Sequence, residues 1–420
     1  MAAPSKNRLR PARRMFICQE NHMSECVNVI GVGMTHFAKP GASAEYHVMA
    51  AEAGRSALRD AGIGYADVQQ AYAGYVYGDS TCGQRALYEL GLTGIPVINV
   101  NNNCSTGSTA LWLARQAIES GVADCVMAIG FEKMAKGALG SVFTDRDSPL
   151  ERHAEVVEDL QGASMAPLAA RMFGGAGREY VARHGIDNEV FGLISVKARR
   201  HASRNPYALF KQELTLEEVM GSDWVYDPLT RFQCCPPTCG AACAILCSDA
   251  FARRHGISDA VRIIGQAMTT DYDSSFAPRS MIKMVGYDMS RQAAEQVYGI
   301  SGIGPEDVDV VELHDCFTTN ELLSYEALGL CPEGGAERFI RCGDNTHGGK
   351  VVTNPSGGLL SKGHPLGATG LAQCAELVWQ LRGNAGPRQV EGARIALQHN
   401  IGLGGACVVT MYRREHRKRR

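Results

Sequence analysis

Short runs of β-branched and apolar residues alternate with longer amphipathic stretches along much of the chain. Val27 to Val32 reads as a strand. Ala44 to about Ala61 reads as a helix, with alanines and Leu58 on one face, Glu45, Glu52, Arg55 and Arg59 elsewhere, and Gly62 as its stop. Further strands are predicted over Val68 to Tyr77, Pro96 to Val100 and Asp124 to Gly130, with a helix reaching Ser120 before the last of them. This alternation predicts an α/β fold in which helices cover a parallel sheet. From Glu132 to Asp227 the pattern changes to helices opened by capping boxes (Ser148 with Glu151, Thr215 with Glu218) and glycine-rich turns. That segment predicts an insertion over the sheet and a place for a substrate groove. Strand patterns return at Ala241 to Leu246, Val261 to Ala267 and Val308 to Cys316, the last leading into a helix from about Thr319.

The stretch from Pro96 to Leu113 joins a strand, a polar corner (Asn101 to Asn103) and a helix opening on Cys104, Ser105 and Thr106. Unpaired N–H groups and the helix dipole favour an anion there, so a Cys104 thiolate is expected to be stabilised and poised as a nucleophile. A lone cysteine is more often a packing thiol, and the nucleophile reading depends on partners. The rest of the chain supplies them by repetition. AGIGYADV at 61–68 is echoed by SGIGPEDV at 301–308, and CSTGST from Cys104 is echoed by HPLGAT from His364. DCVMAIGFE is echoed more weakly by ARIALQHNIG. Two similarly folded halves related by a pseudo-twofold axis follow, with Cys104 and His364 at equivalent helix N-termini.

His314 and Cys316 close the strand that begins at Val308, where catalytic groups gather in α/β sheets. Two cysteines and two histidines also raise zinc, but they lack paired short spacings, so no metal is expected. Cys234, Cys235, Cys239, Cys243 and Cys247 form a second cluster. Pro236, Pro237 and Gly240 forbid one continuous helix through it, and AACAILC reads as a buried strand with packing thiols.

Length and charge narrow the picture further. The 420 residues imply two domains or a duplicated one, and a formal charge of −2 gives no electrostatic case for nucleic acid. No apolar run approaches the roughly 18 residues of a membrane span. Scattered cysteines suit a reducing compartment. The stretch 1–19 carries Lys6, Arg8, Arg10, Arg13 and Arg14 and no acid, the bias of an organellar presequence or of a basic tail. An organelle matrix, mitochondrial first and peroxisomal or cytoplasmic as alternatives, is the expected location.

NNNCSTGST, HDCFTTNELL, GGLLSKGHPLGATG and QHNIGLGGA, in this order, resemble the thiolase superfamily and within it the SCP2-thiolases, the thiolase domain of sterol carrier protein X. The resemblance runs from Val27 to Tyr412. It implies a five-layered αβαβα sandwich of two halves, 27–260 and 261–412, with a loop domain at about 132–227, a basic extension at 1–26 and a basic tail at 413–420. It implies thiolytic cleavage of a 3-ketoacyl-CoA, 2-methyl-branched and sterol side-chain substrates included, with coenzyme A as co-substrate and no permanently bound cofactor.

On the same resemblance, Cys104 is the nucleophile, His364 its base, and Cys316 the acid and base of the two half-reactions. His314 with His364 would hold the thioester oxygen, and the backbone N–H groups of Cys104 and Gly402 the oxyanion at the attacked carbon. Asn400 stands where other thiolases carry their second cysteine, and Cys407 is expected in the core. A homodimer is expected. Neither a sterol carrier domain nor lipid transfer is expected. The alternatives are a decarboxylating ketoacyl synthase, which Cys316 argues against, and a non-catalytic acyl-CoA-binding protein.

Overall fold

The computed structural model describes residues 26–137, 140, 142–277 and 279–414. The basic extension, Cys26 apart, and the tail beyond Arg414 lie outside them. Among the described residues there are twelve strands: β1 Val27–Met34, β2 Gln70–Gly74, β3 Val97–Val100, β4 Cys125–Glu132, β5 Trp224–Tyr226, β6 Leu229–Thr230, β7 Gly240–Ser248, β8 Val261–Thr269, β9 Val310–Glu312, β10 Val352–Thr353, β11 Ile395–Gly402 and β12 Ala406–Arg414. Ten of them form one sheet in the order β10-β9-β11-β12-β8-β1-β7-β4-β2-β3. The order is a palindrome of two five-stranded units. In each, the first-numbered strand lies at the seam, and β1 pairs β8 antiparallel across it.

Parallel pairs (β2 with β3 and β4, β9 with β10 and β11) and antiparallel pairs (β7 with β1 and β4, β12 with β8 and β11) occupy matching places in the two units. The repeat legible in the sequence is thus a repeat of strand order and direction.

Both sheet faces are buried, which is why the strands read as continuous apolar runs. On β4, Val126 and Ala128 face a core that also holds Ala110, Leu111, Leu371 and Ala375. Cys125, Met127 and Ile129 face another core, with Ala50, Ala53 and Ala57 of helix Tyr46–Ala61. Helices Thr106–Glu119 and Thr369–Arg382 form the middle layer between the two units. Helix Tyr287–Ser301 covers the far face of the second unit, where Cys407 packs 3.8 Å from Ser290 Oγ. The layers therefore run α, β, α, β, α.

The middle helices cross closely because their first turns are glycine-rich. A Cβ on Gly370 would lie 2.3 Å from the Ser108 nitrogen, and one on Gly107 would lie 2.8 Å from the Gly367 carbonyl. Between β4 and β7 the chain inserts helices Glu151–Gln161, Leu168–His184 and Glu189–Ala202 and the β5–β6 hairpin. They join the core on the second unit's outer face.

Several elements differ in detail from the sequence expectation. The box at Thr215 and Glu218 closes in both directions. At Ser148 no box forms: its hydroxyl accepts from Leu150, and the helix starts at Glu151. The strand expected from Val308 to Cys316 ends at Glu312, because the Leu313 N–H turns to the Asn354 side chain. Among the described residues, no helix is long and apolar enough to cross a membrane.

Candidate active site

The nucleophile corner is built by local hydrogen bonding. Asn103 takes a left-handed conformation (φ 50°), which asparagine tolerates better than most residues. Its side chain donates to the Leu403 carbonyl at 3.1 Å, tying the corner to the second unit. Cys104 precedes the helix, which begins at Thr106 rather than at Cys104 itself. The Leu403 backbone N–H and the cysteine's own N–H favour the thiolate, yet burial pushes the thiol up to about 12. The expectation of a stabilised thiolate is therefore corrected: loss of water outweighs the helix end, and free Cys104 is a neutral thiol at pH 7.

His364 opens the equivalent corner. Its Nδ1 lies 2.7 Å from Thr369 Oγ1, while Nε2 is buried without a hydrogen-bond partner. Burial holds the ring down to about 3, with Lys362 adding to the effect, so it is a neutral imidazole. His314 Nδ1 meets the Asn400 amide nitrogen at 2.9 Å, and burial, then His364 and His399, keep its pKa well below the ordinary value. Cys104 Sγ and one ring nitrogen of each histidine lie within 4.8 Å of one another. The pseudo-twofold arrangement thus brings together three residues spread over 260 positions. Their ligand atoms are also close enough together to share one cation.

Cys316 is buried, and its thiol is raised by burial first and then by Cys235 and Cys104, which are close enough to oppose its ionisation. The Cys235 N–H donates to the Cys316 carbonyl at 2.9 Å. Cys235 packs against the second unit's core, as expected, and its thiol is also close enough to Cys104 and Cys316 to be a third thiol of the site. Cys239, Cys243 and Cys247 do pack in the core beneath helix Tyr46–Ala61. Gly402 walls the nucleophile corner: a Cβ there would come within 2.2 Å of the Asn102 carbonyl and 3.1 Å of the Ser105 nitrogen.

Three buried carboxylates, none singled out by sequence, hold the segment that carries His364. Glu312 accepts from Ser356 N–H and pairs with Lys362 at 3.3 Å. Asp315 accepts from Leu359 N–H at 2.7 Å. Glu132 accepts from Gly367 N–H at 3.0 Å and from Val76 and Tyr77 N–H on the first unit. Glu132 and Glu312 end strands β4 and β9, Asp315 lies three residues past β9, and the partner of each is at least 44 positions away. No local pattern announces such contacts.

Two family models match the chain: the thiolase N-terminal domain over residues 27–249 and the thiolase C-terminal domain-like family over 274–412. The chain belongs to the thiolase family. Human sterol carrier protein 2 is 60% identical over 391 residues, which is 92% of this chain and 72% of that protein. The Caenorhabditis elegans non-specific lipid-transfer protein-like 2 is 46% identical over 394 residues, 92% of this chain and 96% of its own. These place the thiolase with the sterol carrier protein 2 group, and family membership makes it an acyltransferase. The fold is shared with a solved Ltp2–ChsH2(DUF35) aldolase (TM-score 0.79, 24% identity, 93% of this chain and 98% of that one). It is shared too with the solved human mitochondrial 3-ketoacyl-CoA thiolase (TM-score 0.70, 18% identity, 93% and 99%).

Proposed function

We propose that this thiolase cleaves 3-ketoacyl-CoA with coenzyme A through an acyl-enzyme on Cys104. The observation that carries the reading is the cluster of Cys104 with a ring nitrogen of His364 and of His314 inside 4.8 Å. Both members of the Cys104–His364 pair are neutral in the free enzyme, so the thiol proton passes to the bare Nε2 of His364 as sulfur attacks the 3-keto carbon. The developing oxyanion is taken by backbone N–H groups at Cys104 and Gly402, with Leu403 beside them. Such a donor is worth about 3 kcal/mol of barrier.

The C2–C3 bond then breaks. Its electron pair leaves as the enolate of the shorter thioester, held by His314 and the newly formed His364 imidazolium, and Cys316 protonates its carbon. In the second half-reaction the Cys316 thiolate takes the proton of the coenzyme A thiol, whose sulfur attacks the acyl group on Cys104. The Cys104 sulfur leaves and recovers a proton from His364, giving the shortened acyl-CoA. Coenzyme A enters as co-substrate throughout.

Two further readings belong to this proposal. Strand β3 pairs only with β2 among the described residues and leaves Ile98 36% exposed. That edge supports a homodimer, which light scattering after gel filtration tests. The basic stretch near the N-terminus supports an organelle matrix, tested by imaging the tagged chain.

A thiolysis panel of short, long and 2-methyl-branched 3-ketoacyl-CoA substrates tests the reaction. Coenzyme A-dependent cleavage is the expected result. Consumption of a malonyl thioester without thiolysis would assign a decarboxylating condensation instead, and no reaction with any substrate would assign a binding role.

A further inference from the structure

Asn400, on β11, has every polar side-chain atom engaged. Its Oδ1 accepts from Ser108 Oγ at 2.8 Å, and its Nδ2 lies 3.2 Å from the Cys104 carbonyl and 2.9 Å from His314 Nδ1. A backbone carbonyl only accepts, so the group facing Cys104 is the NH2. The Ser108 side agrees. Gln398 Nε2 donates to the Gly370 carbonyl at 2.7 Å and to Ser108 Oγ at 2.8 Å, while its Oε1 accepts from Tyr412. The single Ser108 proton is then left for Asn400 Oδ1.

With its orientation set from both sides, Asn400 presents an N–H to His314 Nδ1. That nitrogen must be the bare one, and the proton of the neutral ring sits on Nε2. The opposite holds at His364. Thr369 Oγ1 donates to the Pro365 carbonyl at 3.0 Å, so it accepts from His364 Nδ1–H at 2.7 Å and leaves Nε2 bare. One histidine faces the site as a donor and the other as a base.

This assignment bears on metal binding. A histidine that ligates a cation through one nitrogen carries its proton on the other, which usually donates to a carboxylate, carbonyl or water. For His314 to ligate through Nε2, the proton would have to sit on Nδ1 and point at the Asn400 N–H. Two donors would then face each other in a buried site.

We propose that Asn400 is a positioning residue that locks His314 in the Nε2–H tautomer, and that this lock keeps the Cys104–His314–His364 cluster from binding zinc. The inference rests on the reading of His314 as a hydrogen-bond donor. Its test reads proton position and metal binding without turnover, so its failure is distinguishable from failure of the thiolase assignment.

The experiment uses the full chain labelled with 15N-histidine, with His314 assigned from the His314→Gln spectrum. In wild type, His314 is expected to show an unprotonated Nδ1 and a protonated Nε2, and His364 the reverse. Asn400→Asp supplies an acceptor for Nδ1–H. It should swap the His314 tautomer and tighten Zn2+ by at least about tenfold, the low end of what a carboxylate partner contributes to a ligating histidine. Competition with a zinc-sensitive dye reads the affinity, and a thiolate-to-Co2+ absorption band reports Cys104 as ligand. A protonated Nδ1 on wild-type His314 would overturn the lock, and that spectrum stands if the variant misfolds. A folded Asn400→Asp protein that swaps the tautomer yet binds Zn2+ no more tightly would overturn the link to metal exclusion.

Discussion

The imidazoles of His314 and His364 meet edge to face, their centroids 5.1 Å apart and their planes at 84°. His314 follows strand β9 and His364 stands before the helix Thr369–Arg382, and burial keeps both neutral. If His364 is the base, its pKa of about 3 leaves it deprotonated and competent at every pH well above that value. The kcat/KM profile of wild type is therefore expected to show no acid limb between about pH 5.5 and 7.5. A limb centred near 6.5 that disappears in His364→Gln would contradict the assignment. His364→Ala should lower kcat by about 10²- to 10⁴-fold with circular dichroism unchanged.

Cys104 gives a second pH prediction, a rising one. Its thiol is pushed up to about 12, so the thiolate fraction in free enzyme rises about tenfold per pH unit through the neutral range. Iodoacetamide labelling of the Cys104 peptide, followed by mass spectrometry, should accelerate continuously from pH 7 to 9. A plateau below pH 8 would mean that the helix end, not burial, governs this sulfur.

Cys316 and Cys235 share the pocket, and only one of them should carry protons. Cys316→Ala is expected to cut kcat by about 10²- to 10⁴-fold, the range of a lost general acid or base. Cys235→Ala should leave both half-reactions within a few-fold of wild type. Stopped-flow acylation and steady-state thiolysis, run on both variants, check this. The reverse ranking would move the proton-transfer role to Cys235.

Glu132 ties the two units together at the His364 loop. Gln in its place cannot accept all of the Val76, Tyr77 and Gly367 N–H groups, and an unsatisfied buried donor costs about 1–3 kcal/mol. Loss of register at His364 should lower kcat by up to about 100-fold. Burial raises the Glu132 carboxyl from 4.5 to about 7, so between those values the native protein binds a proton that the unfolded chain does not. Its contribution to stability therefore falls as pH rises through that window. Relative to Glu132→Gln, wild type should gain stability as pH drops from about 7 to 4.5, which paired thermal melts measure.

What was legible in the sequence is what repeats or alternates. Gly107 and Gly367, at matching places in CSTGST and HPLGAT, mark the turns where the middle helices and their corners come too close for a side chain. That requirement survives in the letters, so Cys104 and His364 could be placed as equivalents. The alternation of Cys125, Met127 and Ile129 against Val126 and Ala128 likewise follows from burial of both sheet faces.

What was not legible depends on partners distant in the chain. Glu132 meets Gly367 across 235 positions, Asn400 meets the Cys104 carbonyl across 296, and neither leaves a local trace. The protonation of Cys104 was misjudged for a related reason. A helix end is a local feature that can be read from a few residues, whereas exclusion of water is a property of the assembled halves.

The most direct test of the account is to mix the thiolase with a 3-ketoacyl-CoA in the absence of free coenzyme A, quench, and locate the acyl group by peptide mass spectrometry. The account predicts one acyl group on the peptide containing Cys104, lost on adding coenzyme A and absent in Cys104→Ala. An acyl group on Cys316 or Cys235, or none on any cysteine while cleavage proceeds, would contradict it.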